Sequence, residues 1–163
     1  MSTVSFRNWF SAGLLLAVLT AACLFRLWQG EKQVRLHTEH FLHAIEQKAW
    51  ANAGAFMDEQ YRDQWGQDRT LVLARLREVL PYMRNLQIRS KELAIVVRGN
   101  DGTWRGRITL EAEPDEISAL IKERVNALDE SPFELQWRKV SGSPWDWKLI
   151  RVTNAELELP DDG

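Results

Sequence analysis

Cysteine is almost missing: Cys23 is the single one in 163 residues, so one chain holds neither a disulfide frame nor a thiolate metal site. Histidine is scarce as well, and His37, His40 and His43 all precede residue 44. No imidazole general base therefore follows in the rest of the chain. An excess of charge of one sign is lacking too. The 21 Lys and Arg interleave with 23 Asp and Glu for a net charge of −2, which argues against a nucleic-acid partner, since that needs clustered cations. A glycine-rich phosphate loop, a nucleophile elbow and paired acids on an apolar face are all lacking. No repeat or low-complexity segment is visible.

Tryptophan is plentiful, with eight residues, and one apolar run stands out, from Trp9 to Trp28. No charged side chain lies between Arg7 and Arg26, and the centre is Leu14, Leu15, Leu16, Ala17, Val18 and Leu19. As a helix, Trp9 and Trp28 would stand roughly 28 Å apart, close to the hydrocarbon thickness of a bilayer. Indole rings favour that interface, so both read as anchors. Three readings fit the run: an uncleaved single-span anchor, a lipoprotein signal ending at Cys23, and a cleaved secretory signal. The first is favoured because apolar character continues past the small residues to Trp28. Against the second, Leu19 sits one place too early for a lipobox, and Leu24 and Phe25 follow the cysteine.

Counting cations alone would put the following domain in the cytoplasm, since Arg26, Lys32 and Arg35 follow the run. A short tail with a leading arginine resembles a signal-anchor start, whose downstream domain is exported. The expectation is an extracytoplasmic, periplasmic domain. The division is 1–30 for tail and anchor, 31–155 for one α+β domain large enough for its own core, and 156–163 for an acidic tail.

The periodicity predicts one helix from Glu31 to Phe56, with Val34, Phe41, Leu42, Ile45, Ala49, Ala53 and Phe56 on one stripe. The three histidines read as its solvated face, with no second shell to hold a metal. Asp58 to Asp68 reads as a wetted polar connection. A short helix from Thr70 to Leu80 follows, capped by Asp68 or Thr70 and stopped by Pro81. Leu93, Ile95 and Val97 alternate as the buried face of a strand. Asn100, Asp101 and Gly102 supply the positive φ of a hairpin, and Trp104, Gly106, Ile108, Leu110 and Ala112 form the inner face of the return strand. Pro114 opens a helix to Leu128. Phe133, Leu135 and Trp137 then mark a third strand, and Trp145 to Val152 a fourth.

This order resembles the nuclear-transport-factor-2-like (cystatin-like α+β) superfamily, on three pieces: Phe41 to Tyr61, the hairpin at Asn100-Asp101-Gly102, and Trp147-Lys148-Leu149-Ile150. The resemblance covers nearly all of 31–154. It implies a bent antiparallel sheet wrapped on helices as a cone, and a cavity that Trp50, Tyr61, Trp65, Tyr82, Trp104 and Trp137 would line. Ordinary core packing is the competing reading of those rings. Some members are isomerases, cyclases or dehydratases. Here the acid candidates Asp58 and Asp63, with Tyr61 or Tyr82, fall in the polar connection, so the chain reads as no enzyme. Tethered domains of this kind resemble envelope scaffolds. The reading is therefore a membrane-tethered interaction module with a protein partner or a second copy of itself. It would bind membrane lipid through its leader and use no cofactor. A binder of a small apolar ligand and an isomerase- or dehydratase-like enzyme are the alternatives.

Overall fold

The computed structural model describes residues 6–27, 29–113, 119, 123, 126 and 131–155, with side chains of the first helix described for 13–23. Among the described residues the named elements are α1 Phe6–Leu27, α2 Gly30–Glu46, α3 Trp50–Phe56, α4 Arg69–Val79, β1 Gln87–Arg98, β2 Asp101–Glu111, β3 Phe133–Lys139 and β4 Trp147–Thr153. The strands form one antiparallel meander in the order β1-β2-β3-β4.

Within α1 the described apolar side chains point out on all sides, with Leu14, Leu15, Leu16, Val18 and Leu19 between 57% and 67% exposed. Among the described residues no helix is long and apolar enough to cross a membrane. The rings of Trp9 and Trp28 lie outside the described residues, as do most of the helix expected from Pro114 to Leu128 and the tail 156–163.

The single helix expected from Glu31 to Phe56 is two helices. α2 stops because Lys48 takes a left-handed φ of 54°. The Lys48 amide donates to Ile45 O at 2.9 Å and the Ala49 amide to Ala44 O at 2.8 Å, the paired bonds of a Schellman ending. A lysine in this place costs about 1–2 kcal/mol. Its ammonium in return donates to Met83 O at 3.1 Å. The apolar stripe survives the break, since Val34, Phe41, Leu42, Ile45 and Ala53 are buried.

α2 lies antiparallel along β1. Val97 packs on Gly30 at the start of α2. Arg35 grips Glu92 in a two-pronged pair at 2.7 and 2.8 Å, and the Glu46 carboxylate accepts the Ile88 amide at 2.8 Å. The β1–β2 turn therefore sits at the amino-terminal end of α2. The Asp68 carboxylate caps α4 by accepting the Leu71 amide at 2.9 Å, and Pro81 falls in the 3-10 turn Leu80–Tyr82 where α4 has ended.

The β1–β2 hairpin differs from expectation by a shift of its turn. Arg98 pairs with Asp101, so the loop is Gly99-Asn100, with positive φ at Gly99. This first-position glycine matches a II′ turn, whose twist suits the flanking strands. Asp101 and Gly102 already belong to β2. Leu93 is also displaced, because the register shifts between Glu92 and Ala94 and the extra residue of a bulge turns its side chain outward. Ile95 and Val97 keep their inward places, half-buried against the core.

The inner face of β2 is as the alternation predicts: Gly102, Trp104, Gly106 and Leu110 are buried. Beyond Gly106, where the β3 pairing stops, Asn126 takes over. Its amide accepts from Leu110 N at 3.0 Å and donates to Leu110 O at 3.2 Å. Leu135, Trp137, Trp147 and Leu149 close the core from β3 and β4. Trp145, expected to start β4, lies before the strand and is exposed. The outer edge of β4 is covered by the chain after α3. Asp58, Arg62 and Gln64 amides donate to Leu149, Ile150 and Val152 carbonyls at 2.9, 3.1 and 3.3 Å, blunting an edge that would otherwise pair with other chains.

Candidate functional site

The six aromatic residues expected around a cavity are dispersed by the fold. Trp104 and Trp137 point inward from β2 and β3, at 2% and 0% exposure, and Tyr61 is buried behind β4. Trp50 and Trp65 are half-buried at the helix and loop margins. Tyr82 stands 53% exposed on the far side of the 3-10 turn. The Trp104 indole folds back over Gly106: a Cβ there would lie 2.4 and 2.5 Å from two of its ring carbons. Trp137 meets Phe41 and His37 edge-on, with ring centres 6.2 and 5.8 Å away. Phe56 closes the same cluster from α3. Edge-to-face rings at such spacing are a packed core.

Two hydrogen-bonding atoms are left over in this interior. Thr38 Oγ1 and Trp137 Nε1 are buried with no protein partner among the described residues. Each orphan costs about 1–3 kcal/mol unless a polar atom from outside the chain meets it.

The histidines do not share one environment. His40 and His43 are exposed, and His43 Nδ1 lies 3.5 Å from Glu46 Oε1. His37, expected on the solvated face, is instead half-buried between Phe56 and Trp137. Its Nδ1 is 2.8 Å from Gln33 O and its Nε2 is 2.9 Å from Trp145 O, so with the proton on Nε2 the ring donates to Trp145 O and ties α2 to the β3–β4 loop. Among the described residues no three His, Cys, Asp or Glu converge as a metal site.

The acids expected in a wetted connection divide as well. Asp58 accepts from its neighbour Gln60 N at 2.8 Å in a local turn. Asp63 is buried. Its Oδ1 accepts amides from Trp65 and Gln67 at 2.9 and 2.8 Å, because the chain tucks under β4 and needs its free amides satisfied. That oxygen builds a turn. Burial, with the nearby Asp63 carboxylate second, pushes the Tyr61 phenol well above its ordinary value.

None of the six expected aromatics lines either of two surface depressions among the described residues. One, of about 520 Å³, is an open groove at the α2–α3 elbow beside His40, His43, Gln47, Asn52 and Phe56. The other, of about 280 Å³, lies on the outer face of β1–β2 among Arg89, Ser90, Lys91, Arg107 and Thr109. Sequence periodicity missed the elbow because no glycine or proline marks the break at Lys48. Lys91 stands directly opposite Arg107, while Arg89 reaches Glu111 at 3.0 Å.

No family model and no curated protein matches this chain. Solved structures do. Bd1075 of Bdellovibrio bacteriovorus is similar at 13% identity with a TM-score of 0.58, over 78% of this chain and 40% of Bd1075. The chain thus spans less than half the length of that protein. An NTF2-like protein of unknown function from Pseudomonas putida KT2440 is similar at 13% identity and a TM-score of 0.56, over 75% and 82% of the two chains. A protein of Shewanella frigidimarina, provisionally assigned as a ketosteroid isomerase, matches at 15% identity and a TM-score of 0.56, over 78% and 98%. Likeness at this identity carries the fold alone: the chain has an NTF2-like, cystatin-like α+β fold, a four-stranded antiparallel sheet packed on helices.

Proposed function

We propose that this chain is a membrane-tethered, non-enzymatic interaction module of the bacterial cell envelope, with an NTF2-like domain on the extracytoplasmic, periplasmic side. The leader is an uncleaved single span over Trp9 to Trp28, with a lipoprotein linkage at Cys23 as the alternative attachment. The observation that carries the reading is α1, where every described side chain, 13–23, is exposed and none is charged. A helix apolar on every side belongs in lipid or in the core of a large protein. The domain's part is to present a surface, alone or as a second copy of itself, to a protein partner. Support for a non-catalytic role comes from the interior, where Trp104 and Trp137 serve packing and the Asp63 carboxylate serves a turn.

Membrane fractionation with an alkaline wash tests this. The full chain stays in the pellet, and Leu16→Arg moves it to the wash. Full-length protein dissolved without detergent would refute the tether. A second reading, a small ligand in the cone, is favoured by the orphaned Trp137 N–H and Thr38 hydroxyl. Solvent extraction and mass spectrometry of the purified chain would find that ligand. Turnover of a steroid-like or dehydratable substrate, lost in Asp63→Asn with the fold kept, would instead establish an enzyme.

A further inference from the structure

One end of the domain gathers at the start of α2. Val97, next to the β1–β2 turn, packs on Gly30, as does the Trp147 indole from the first residue of β4. The Lys139 amide donates to Asn100 O at 2.8 Å, which brings the β3–β4 loop alongside that turn. The same loop is fastened at its other side, where Trp145 O meets His37 Nε2 at 2.9 Å. Within the loop the Val140 amide donates to Asp146 O and the Asp146 amide to Ser143 O, at 2.9 and 3.3 Å. The Trp147 indole donates to Pro144 O at 2.9 Å. Its backbone is thus pinned at several points, yet Trp145 is 65% exposed and Val140 45%.

A large indole held out by a fastened loop is poorly explained by packing. Indole suits the boundary between hydrocarbon and water, apolar on its body and polar at one edge. Position supplies the occupant. Two residues separate Leu27, the end of α1, from Gly30, so the three steps between them reach at most about 11 Å. With α1 in a bilayer, Gly30 and what packs on it lie at the headgroups, whichever side the domain occupies. Cations at this end (Lys32, Arg98, Arg138 and Lys139) exceed the acids Glu31, Asp101 and Asp146 by one, and Arg138 already pairs with Asp101 at 3.0 Å. The attraction is therefore chiefly that of the indole.

We propose that the β3–β4 loop, through Trp145 and Val140, is a second membrane contact that seats this end of the domain in the headgroup layer and fixes its tilt. The inference rests on the tether proposed above. Its test uses the full chain in phospholipid nanodiscs with Cys23→Ala and one nitroxide label at a time, at Leu16→Cys, Gly142→Cys or Tyr82→Cys. Gly142 is exposed, and a Cβ there meets nothing within 4 Å. Tyr82 lies at the opposite end, next to the Met83 carbonyl that Lys48 holds. The label at 16 should collide with oxygen and hardly with an aqueous nickel chelate. That at 142 should be shielded from the chelate relative to the one at 82, and adding Trp145→Asp should abolish the shielding. A label at 142 as open to nickel as that at 82, with 16 still shielded, overturns this contact and leaves the tether standing. Shielding at 142 that persists in Trp145→Asp overturns the role given to the indole. If the label at 16 is itself open to nickel, tether and contact fall together.

Discussion

Replacing Gly106 by alanine probes the centre of the sheet with one methyl group. Gly106 pairs with Glu92 on one side and Phe133 on the other, so its backbone cannot retreat without opening two ladders. A Cβ would stand 2.4 and 2.5 Å from the Trp104 ring and 2.6 Å from the Lys91 carbonyl oxygen. The indole can swing, but it is 2% exposed and has little room. The carbonyl belongs to the paired β1 backbone and can move only by disrupting the hairpin. Overpacking costs about 1–3 kcal/mol, and a backbone obstacle places this case in the upper part of that range. Against it stands roughly 0.5–1 kcal/mol from the lower unfolded-chain entropy of alanine. The net is a loss of about 2 kcal/mol, or a melting point lower by about 8 °C for a domain of this size. Thermal melts followed by near-ultraviolet circular dichroism read both the transition and the Trp104 environment. Gly142→Ala, where nothing lies near the new methyl, is the matched control and should be neutral. If Gly106→Ala melts within about 2 °C of the parent, the close seat of Trp104 over Gly106 is wrong.

Glu92→Gln should destabilise at neutral pH and not in acid. The Arg35 guanidinium, by hydrogen bond and charge, holds the Glu92 carboxyl below its ordinary value. Its contribution is therefore complete above the usual glutamate range near about 4.3 and fades as pH falls through the lower folded value; a gap between the two melting curves that ignores pH would refute the pair. Asp63→Ala should cost about 2 kcal/mol of unfolding free energy in urea denaturation, since two amides of a buried turn lose their acceptor. Asp63→Asn keeps an oxygen there and should cost less than half as much; equal losses would show that the carboxylate's charge, rather than its geometry, matters. Tyr61, kept neutral by burial, ties stability to alkaline pH. The folded value lies above the unfolded one, so stability is full below about pH 10 and declines above it, and Tyr61→Phe should flatten that decline in alkaline denaturation.

What local spacing could fix, the sequence determined. The period-two faces of β2 and β3, the Asp68 cap, the end of α4 before Pro81 and the buried stripe of α2 and α3 all follow from neighbours within a turn or a strand. So does the α+β order of elements, which carried the resemblance to the NTF2-like fold. The tertiary structure decided the rest, because the deciding contacts join residues far apart in the chain. α2 ends at Lys48, without glycine, where the Met83 carbonyl waits 35 residues on. Leu93 turns outward where Arg35 grips Glu92 across 57 residues. Asp63 is buried because its segment runs under β4, with Gln64 accepting the Asn154 amide 90 residues away. Trp145 follows the same rule: its carbonyl meets the His37 ring, 108 residues earlier, at 2.9 Å while its own ring stays exposed. Periodicity records which face a side chain prefers, and only the packed chain decides what that face meets.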